Sequence, residues 1–451
     1  MDATTLGSLR TADAKFHLHP FTHHGDMHKA GTHVVTGSSG VYVVDQDDRR
    51  LLDGLAGLWC VNVGYGRREI AEAVYKQMLE VPYYPSFFNT TTEPAVRLAE
   101  KLAAIAPKRI QRSIFCNSGS EANETAVKLV RGYWKLRGKP GKYKILTRTY
   151  AYHGVGVATT SMTGLPSCYT PFDLPLEGGM FVHVPAPHHY EAKTDLDPIA
   201  YGQWCVDETR RIIEQQGADT VGAIFVEPIQ GAGGVIVPPD GYLKALRELA
   251  REKDVLFVAD EVITGFGRLG DWLASNLWDL DPDLISVAKG LTSGYLPLGA
   301  TMVSDEMVDV LNTGGYLAHG FTYSGHPTPC AAGLANLAIL ENEHLVERVR
   351  DDVGPYFQRK LRAFAGHPAA GEVRGFQMIG AIELLPKSRN KADRVASAPL
   401  GVKAAAIARR HGVIVRGIRD LIAISPPLTI THGELDVLFD AIGKTLDELW
   451  A

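Results

Sequence analysis

The sequence has no apolar run approaching the roughly 20 residues that a membrane-spanning helix needs. Its N-terminus is polar and rich in histidine, without the apolar centre of a secretory signal, so the expectation is a cytoplasmic protein that does not engage membranes. Cysteine is scarce. The five residues Cys60, Cys116, Cys168, Cys205 and Cys330 are scattered, odd in number and contain no Cys-x-x-Cys pair, which argues against a disulfide or zinc framework and for reduced thiols. Positive charge is also in deficit, with 46 Lys and Arg against 51 Asp and Glu. A net charge of -5 and a pI near 6.4 leave no basic footprint for nucleic acid. Internal repeats and low-complexity tracts are absent.

What is present is an ordinary globular composition, 45% hydrophobic and 22% charged over 451 residues, enough chain for two or three domains. Histidines crowd the start of the chain at 17, 19, 23, 24, 28 and 33. No second cluster with zinc-like spacing accompanies them, so no metal is assigned. Gly40–Asp45 and Arg50–Gly54 read as a β-hairpin around a polar turn. Apolar spacing predicts helices over 68–79 and from about 94 to 105. From Ser113 onward, short apolar runs alternate with helical stretches. The runs end in Asn117-Ser118-Gly119-Ser120, Tyr150-Ala151-Tyr152-His153, Glu227-Pro228, Asp260-Glu261 and Ala288-Lys289. Continuous apolar strands alternating with helices indicate an α/β fold with a mostly parallel sheet covered on both faces. Ligands of such sheets lie beyond the carboxyl ends of the strands. After Pro327 a long helix is expected to about Arg350, followed by further strands near 378–383, 413–415 and 421–425 in a smaller C-terminal unit.

The strand-end residues share one rim and their chemistry is complementary. Lys289 is delivered by an apolar strand, and a desolvated lysine is a nucleophile able to form a Schiff base. Asp260 ends another apolar strand. It is either capped or salt-bridged, for example by Arg268, or it pairs with a protonated pyridine nitrogen. Asn117-Ser118-Gly119-Ser120 opens a helix and suits a phosphate, although any strand-to-helix turn can look this way. Tyr152 and His153 are either packed aromatics or stack on a flat ring. Val262 is either core or the ring's other cover. Arg416, at the end of Val413-Ile414-Val415, is either a surface arginine or a carboxylate ligand. Together, lysine, carboxylate and phosphate cradle are what a pyridoxal phosphate enzyme requires.

At these residues the chain resembles the class III, or ω-, aminotransferases, in particular the amine, β-alanine and putrescine:pyruvate group. The resemblance covers almost the whole length. It rests on Gly57-Leu58-Trp59-Cys60-Val61-Asn62-Val63-Gly64-Tyr65-Gly66, on Asn117-Ser118-Gly119-Ser120-Glu121-Ala122-Asn123, and on Tyr152-His153-Gly154. It continues through Glu227-Pro228-Ile229-Gln230-Gly231-Ala232-Gly233-Gly234-Val235, Asp260-Glu261-Val262-Ile263-Thr264-Gly265-Phe266-Gly267-Arg268, Ala288-Lys289-Gly290 and Gly320-Phe321-Thr322-Tyr323-Ser324-Gly325-His326-Pro327.

The resemblance implies fold type I, with a large pyridoxal phosphate-binding domain over residues 65–326. A smaller domain would combine 327–451 with the N-terminal segment 1–64. It implies a homodimer or homotetramer with sites at the subunit interface, taking an amine donor and a keto-acid acceptor such as pyruvate. Lys289 and Asp260 would be catalytic. Ser118, Gly119, Ser120, Tyr152, His153, Glu227, Val262 and, from the partner subunit, Thr322 would help hold the cofactor. Phe21, Trp59, Phe87 of the partner, Tyr152 and Arg416 would surround the substrate, Arg416 swinging in for a carboxylate and out for an apolar amine. Against this stand an aminomutase or decarboxylase of the same fold, and a dinucleotide-binding oxidoreductase suggested by Gly265-Phe266-Gly267-Arg268-Leu269-Gly270. That glycine pattern should lie directly between a strand and its helix, whereas here Asp260 and Glu261 intervene with charge that opposes a pyrophosphate.

Overall fold

The computed structural model describes residues 1–451 except 176–177 and 396–397. Its centre is a seven-stranded sheet in the spatial order Ile110–Cys116, Gly299–Ser304, Leu284–Val287, Leu256–Asp260, Val221–Val226, Lys144–Arg148, Phe181–Val184. All pairs from Leu284–Val287 outward to Phe181–Val184 are parallel. Gly299–Ser304 runs antiparallel to both neighbours. The strand Ile110–Cys116 beyond it therefore points the same way as the parallel set, and its C-terminal end reaches the same rim.

The strand Val221–Val226 is apolar throughout because both faces are covered. Ile224 and Val226 pack on one side with Leu243, Leu246 and Leu249 of the helix Tyr242–Glu252. Ala223 and Phe225 pack on the other with Ala126, Leu129 and Val130 of the helix Gly119–Leu136. Alternate residues of one strand thus serve two cores, which is the burial pattern of a covered parallel sheet. Arg268 is the largest departure from apolar burial near the rim. Its guanidinium donates to Asn62 Oδ1 (2.8 Å) and to the carbonyls of Met378 (3.3 Å) and Pro426 (2.5 Å), and burial pushes it down to about 9.

Two four-stranded sheets complete the molecule. In one, the hairpin of Tyr42–Asp45 and Arg50–Asp53 gains Val413–Ile414 as a parallel neighbour, so the two ends of the chain meet in one sheet. The other joins Ala370–Phe376, Ile379–Leu384, Leu421–Ile424 and Arg416–Ile418, all antiparallel. The expected long helix after Pro327 stops at Asn342 and resumes at Leu345, because His344 takes a left-handed backbone (φ 51°). The glycine pattern 265–270 lies in buried turns rather than opening a helix. A Cβ on Gly270 would come 2.9 Å from the backbone of Arg350, so its glycine serves packing. Among the described residues, no helix is long and apolar enough to cross a membrane.

Candidate active site

Five strand ends deliver the rim residues into one cavity of about 220 Å³, lined by Ser118, Gly119, Ser120, Asn123, Tyr152, His153, Gly154, Glu227, Asp260, Val262, Ile263 and Lys289. Lys289 follows the strand Leu284–Val287 and begins a short turn in which it holds a left-handed backbone (φ 47°). That conformation is disfavoured for a side-chain-bearing residue and is imposed by its surroundings. Gly290, directly after it, can only be glycine without rearrangement, since a Cβ there would lie 2.6 Å from Asn62 Nδ2. Asn62 is itself tied to the Phe266 carbonyl (2.8 Å), and Ser293 Oγ of the same turn accepts from the Val63 N–H (3.0 Å). The loop 57–66 thus clamps the lysine turn.

Among the described residues, Lys289 Nζ makes no hydrogen bond and no salt bridge. It lies 5.8 Å from the centre of the Trp59 ring. Burial pushes its ammonium below the ordinary lysine range, while the charges of Cys60, Asp260 and Glu227 act the other way. The Asp260 carboxylate is 4% exposed and fixed by three donors. Asn123 Nδ2 donates to Oδ2 at 2.7 Å, His153 Nδ1 lies 2.8 Å from the same oxygen, and the Val262 N–H donates to Oδ1 at 3.2 Å. A carboxylate accepts only, so His153 carries its proton on Nδ1 in this contact. The salt bridge to Arg268 that the sequence allowed is not made. Glu227 is oriented by the N–H groups of Tyr152 (2.9 Å) and Gly231 (3.1 Å), and burial pushes its carboxyl up to about 7.

The helix Gly119–Leu136 aims its N-terminus into the cavity, and the first N–H groups of a helix have no partner within it. Ser118 Oγ accepts from the Glu121 N–H (3.2 Å) and Ser120 Oγ from the Val155 N–H (3.1 Å), leaving both hydroxyl protons free to donate. The positive end of the helix and these donors suit an anion. Two buried atoms beside the Asp260 carboxylate, His153 Nε2 and Asn123 Oδ1, have no hydrogen-bond partner among the described residues. The set of an anion cradle, a held carboxylate and a buried amine fits a flat, phosphate-bearing cofactor with a carbonyl and a basic ring nitrogen. Pyridoxal phosphate is such a molecule.

Trp59, 2% exposed, also has a left-handed backbone (φ 57°), and Arg416 lies over its ring at 4.9 Å. Burial lowers the Arg416 guanidinium from its ordinary range, with Tyr152 and Cys168 opposing. Lys289, Trp59, Tyr152 and Arg416 are therefore neighbours. Phe21, Phe87 and Thr322 lie elsewhere. Phe21 is 75% exposed. Phe87 is packed beside Gly320, where an added Cβ would meet its ring at 2.7 Å. Thr322 is exposed, and its carbonyl accepts from Tyr83 Oη at 2.7 Å. Asn123 lines the cavity and holds Asp260 although no strand end in the sequence points to it. The available signal was helical spacing, since it lies one turn beyond Gly119 and so faces the same side.

The family model for class-III aminotransferases matches residues 25–446. The putrescine–pyruvate aminotransferase of Pseudomonas aeruginosa is 43% identical over 432 residues, covering 96% of this chain and 94% of that protein. The diaminobutyrate–2-oxoglutarate transaminase of Halomonas elongata is 40% identical over 467 residues, covering 99% and 98%. Among solved structures, a thermostable (S)-enantioselective ω-transaminase from Thermomicrobium roseum superposes with a TM-score of 0.94 at 41% identity, covering 99% of each chain.

Proposed function

The chain belongs to the class-III aminotransferases, and from that premise we propose that it moves the amino group of a primary amine or ω-amino acid to pyruvate with pyridoxal phosphate as cofactor. The observation that carries the cofactor assignment is the pairing of a half-buried lysine, Lys289, with a held carboxylate, Asp260, in one cavity at a helix N-terminus. Pyruvate as acceptor rests on the similarity to the putrescine–pyruvate enzyme.

Ser118, Gly119 and Ser120 would bind the phosphate through free N–H and hydroxyl donors. Asp260 would pair with the protonated ring nitrogen, held in aim by Asn123 and His153, while Tyr152 and Val262 would flank the ring. Bound there, pyridoxal phosphate supplies an electrophilic carbonyl carbon and an electron sink. Lys289 Nζ, whose charged form burial disfavours, would take the proton from the carbon that bears the substrate's amino group and later return one, acting as base and then acid. Trp59 shuts water from the lysine side. Arg416 binds the carboxylate of the keto acid by paired, charge-assisted hydrogen bonds. Thr322 and Phe87 would complete the site from a second copy, making the enzyme a homodimer or a dimer of dimers, and Phe21 would close the substrate side. The unit 65–326 would hold the cofactor, with 1–64 and 327–451 forming the smaller unit. The pairing of Leu52 with Val413 across the chain ends supports that division. The free, scattered thiols support a cytoplasmic location.

The test is amino transfer from a panel of diamines, ω-amino acids and arylalkylamines to pyruvate, read as alanine. Lys289→Ala is expected to lose the cofactor's lysine-bound absorbance and to reduce turnover by ~10²–10⁴-fold or more. Turnover by that variant within tenfold of wild type would overturn the lysine's role. A higher kcat/KM with 2-oxoglutarate than with pyruvate would overturn the acceptor.

A further inference from the structure

Away from this cavity, the described residues contain one group of side chains with the spacing of metal ligands, Asp13, His17 and His19, whose donor atoms all lie within 4.8 Å of one another. Asp13 is in the last turn of the helix Ala3–Phe16, and the two histidines follow where the chain leaves it. Asp13 Oδ1 is 3.2 Å from His17 Nδ1 and 2.8 Å from His19 Nε2. Ligand atoms ~2.0–2.1 Å from a tetrahedral ion are ~3.3–3.4 Å apart, so small shifts would bring these atoms onto one ion.

One further observation points the same way. Thr32 Oγ1 donates to Asp13 Oδ2 at 2.5 Å, holding the carboxylate while its other oxygen meets the two rings. Metal-binding carboxylates are commonly held in this manner.

We propose that Asp13, His17 and His19 form a three-ligand site for one divalent transition-metal ion. Imidazole with a single carboxylate suits Zn2+, which has no strict geometric demand and accepts mixed nitrogen and oxygen ligands with water in the fourth position. The ion would tie the end of the first helix to the turn 17–19, and so fix the segment that leads to Phe21.

The experiment uses the full chain loaded with pyridoxal phosphate, stripped of metal by a chelator and titrated with ZnCl2 by calorimetry. A Co2+ titration read in the visible region reports tetrahedral coordination independently. One equivalent per chain is expected. His17→Ala and His19→Ala should each weaken binding by more than tenfold, and Thr32→Val, which keeps all ligands, by ~10-fold. His411→Ala, which alters a histidine paired with Glu448, should leave binding unchanged. Far-UV circular dichroism confirms that each variant is folded. Failure to saturate at one equivalent, or binding that survives both His17→Ala and His19→Ala, would overturn the site.

Discussion

Trp59 has two basic side chains over one ring, Lys289 at 5.8 Å and Arg416 at 4.9 Å, and the proposed reaction gives them different tasks. The lysine would act in its neutral form, which burial favours. The arginine would act as a cation whose partner arrives with the substrate. Arg416→Ala should therefore raise KM for pyruvate by ~10–100-fold, the worth of a hydrogen-bonded charge, and leave KM for an uncharged-tail amine within about twofold. Equal losses for both substrates would mean that Arg416 only packs against Trp59.

Glu227 gives a second residue-scale prediction. Burial, with Asp260 adding and His153 opposing, pushes its carboxyl up to about 7, whereas in the unfolded chain it titrates near ~4.3. The native state then keeps a proton that the unfolded state releases between those values. The group's contribution is fully present below ~4.3 and is lost as pH rises through about 7. In cofactor-free protein, Glu227→Gln should flatten the fall in urea midpoint between about pH 4.5 and 7.5 relative to wild type. Parallel curves for the two proteins would assign the titration to another group.

At the scale of elements, the site depends on how the loop 57–66 seats the lysine turn. Gly290→Ala would set a Cβ 2.6 Å from Asn62 Nδ2, and Asn62 cannot retreat without breaking its bonds to Phe266 and Arg268. Overpacking of this kind costs ~1–3 kcal/mol. The variant should show that loss in denaturant unfolding together with weaker pyridoxal phosphate binding. A stable variant with unchanged binding would show that the turn adapts freely. The elements themselves were largely legible. Val221–Val226 is an unbroken apolar run and Leu284–Val287 is interrupted only by Ser286, because each serves two cores, and the rim residues follow from where such runs end. The strand Gly299–Ser304 is hard to read from the sequence because Gly299, Ala300 and Thr301 carry little apolar signal, yet it sits second from one edge and inverts the direction of the sheet there. The break at His344 was hidden too, since a left-handed histidine leaves no mark on the apolar spacing around it. Asn123 and His153 as holders of Asp260 depend on a helix and a loop meeting at one strand end, a relation between segments rather than within one.

At the scale of the whole molecule, Phe87 and Thr322 mark a surface with its own requirement. Tyr83 packs edge-on against Tyr323 at 5.6 Å and bonds the Thr322 carbonyl, so the loops 81–89 and 316–323 form one patch. Phe88 and Tyr316 stand 82% exposed there, with Tyr84, Leu317 and Tyr323 also exposed. A contiguous aromatic surface of this sort is unusual on a protein that stays alone in water. Under the proposed dimer the occupant would be a second copy of the chain, because the same loops carry the two residues expected to reach a neighbouring site, and a two-fold contact lets each copy serve the other. Wild type should run as a dimer or a multiple of one by analytical ultracentrifugation. Phe88→Asp with Tyr316→Asp should shift it toward monomer, and cofactor retention should fall in step, although neither substitution alters the residues lining the cavity around Lys289. Stability of the isolated chain should change little, since both side chains already face solvent. A wild-type monomer with full turnover, or a double variant that dissociates yet keeps its cofactor, would remove Thr322 from the site and leave the cavity of one chain sufficient.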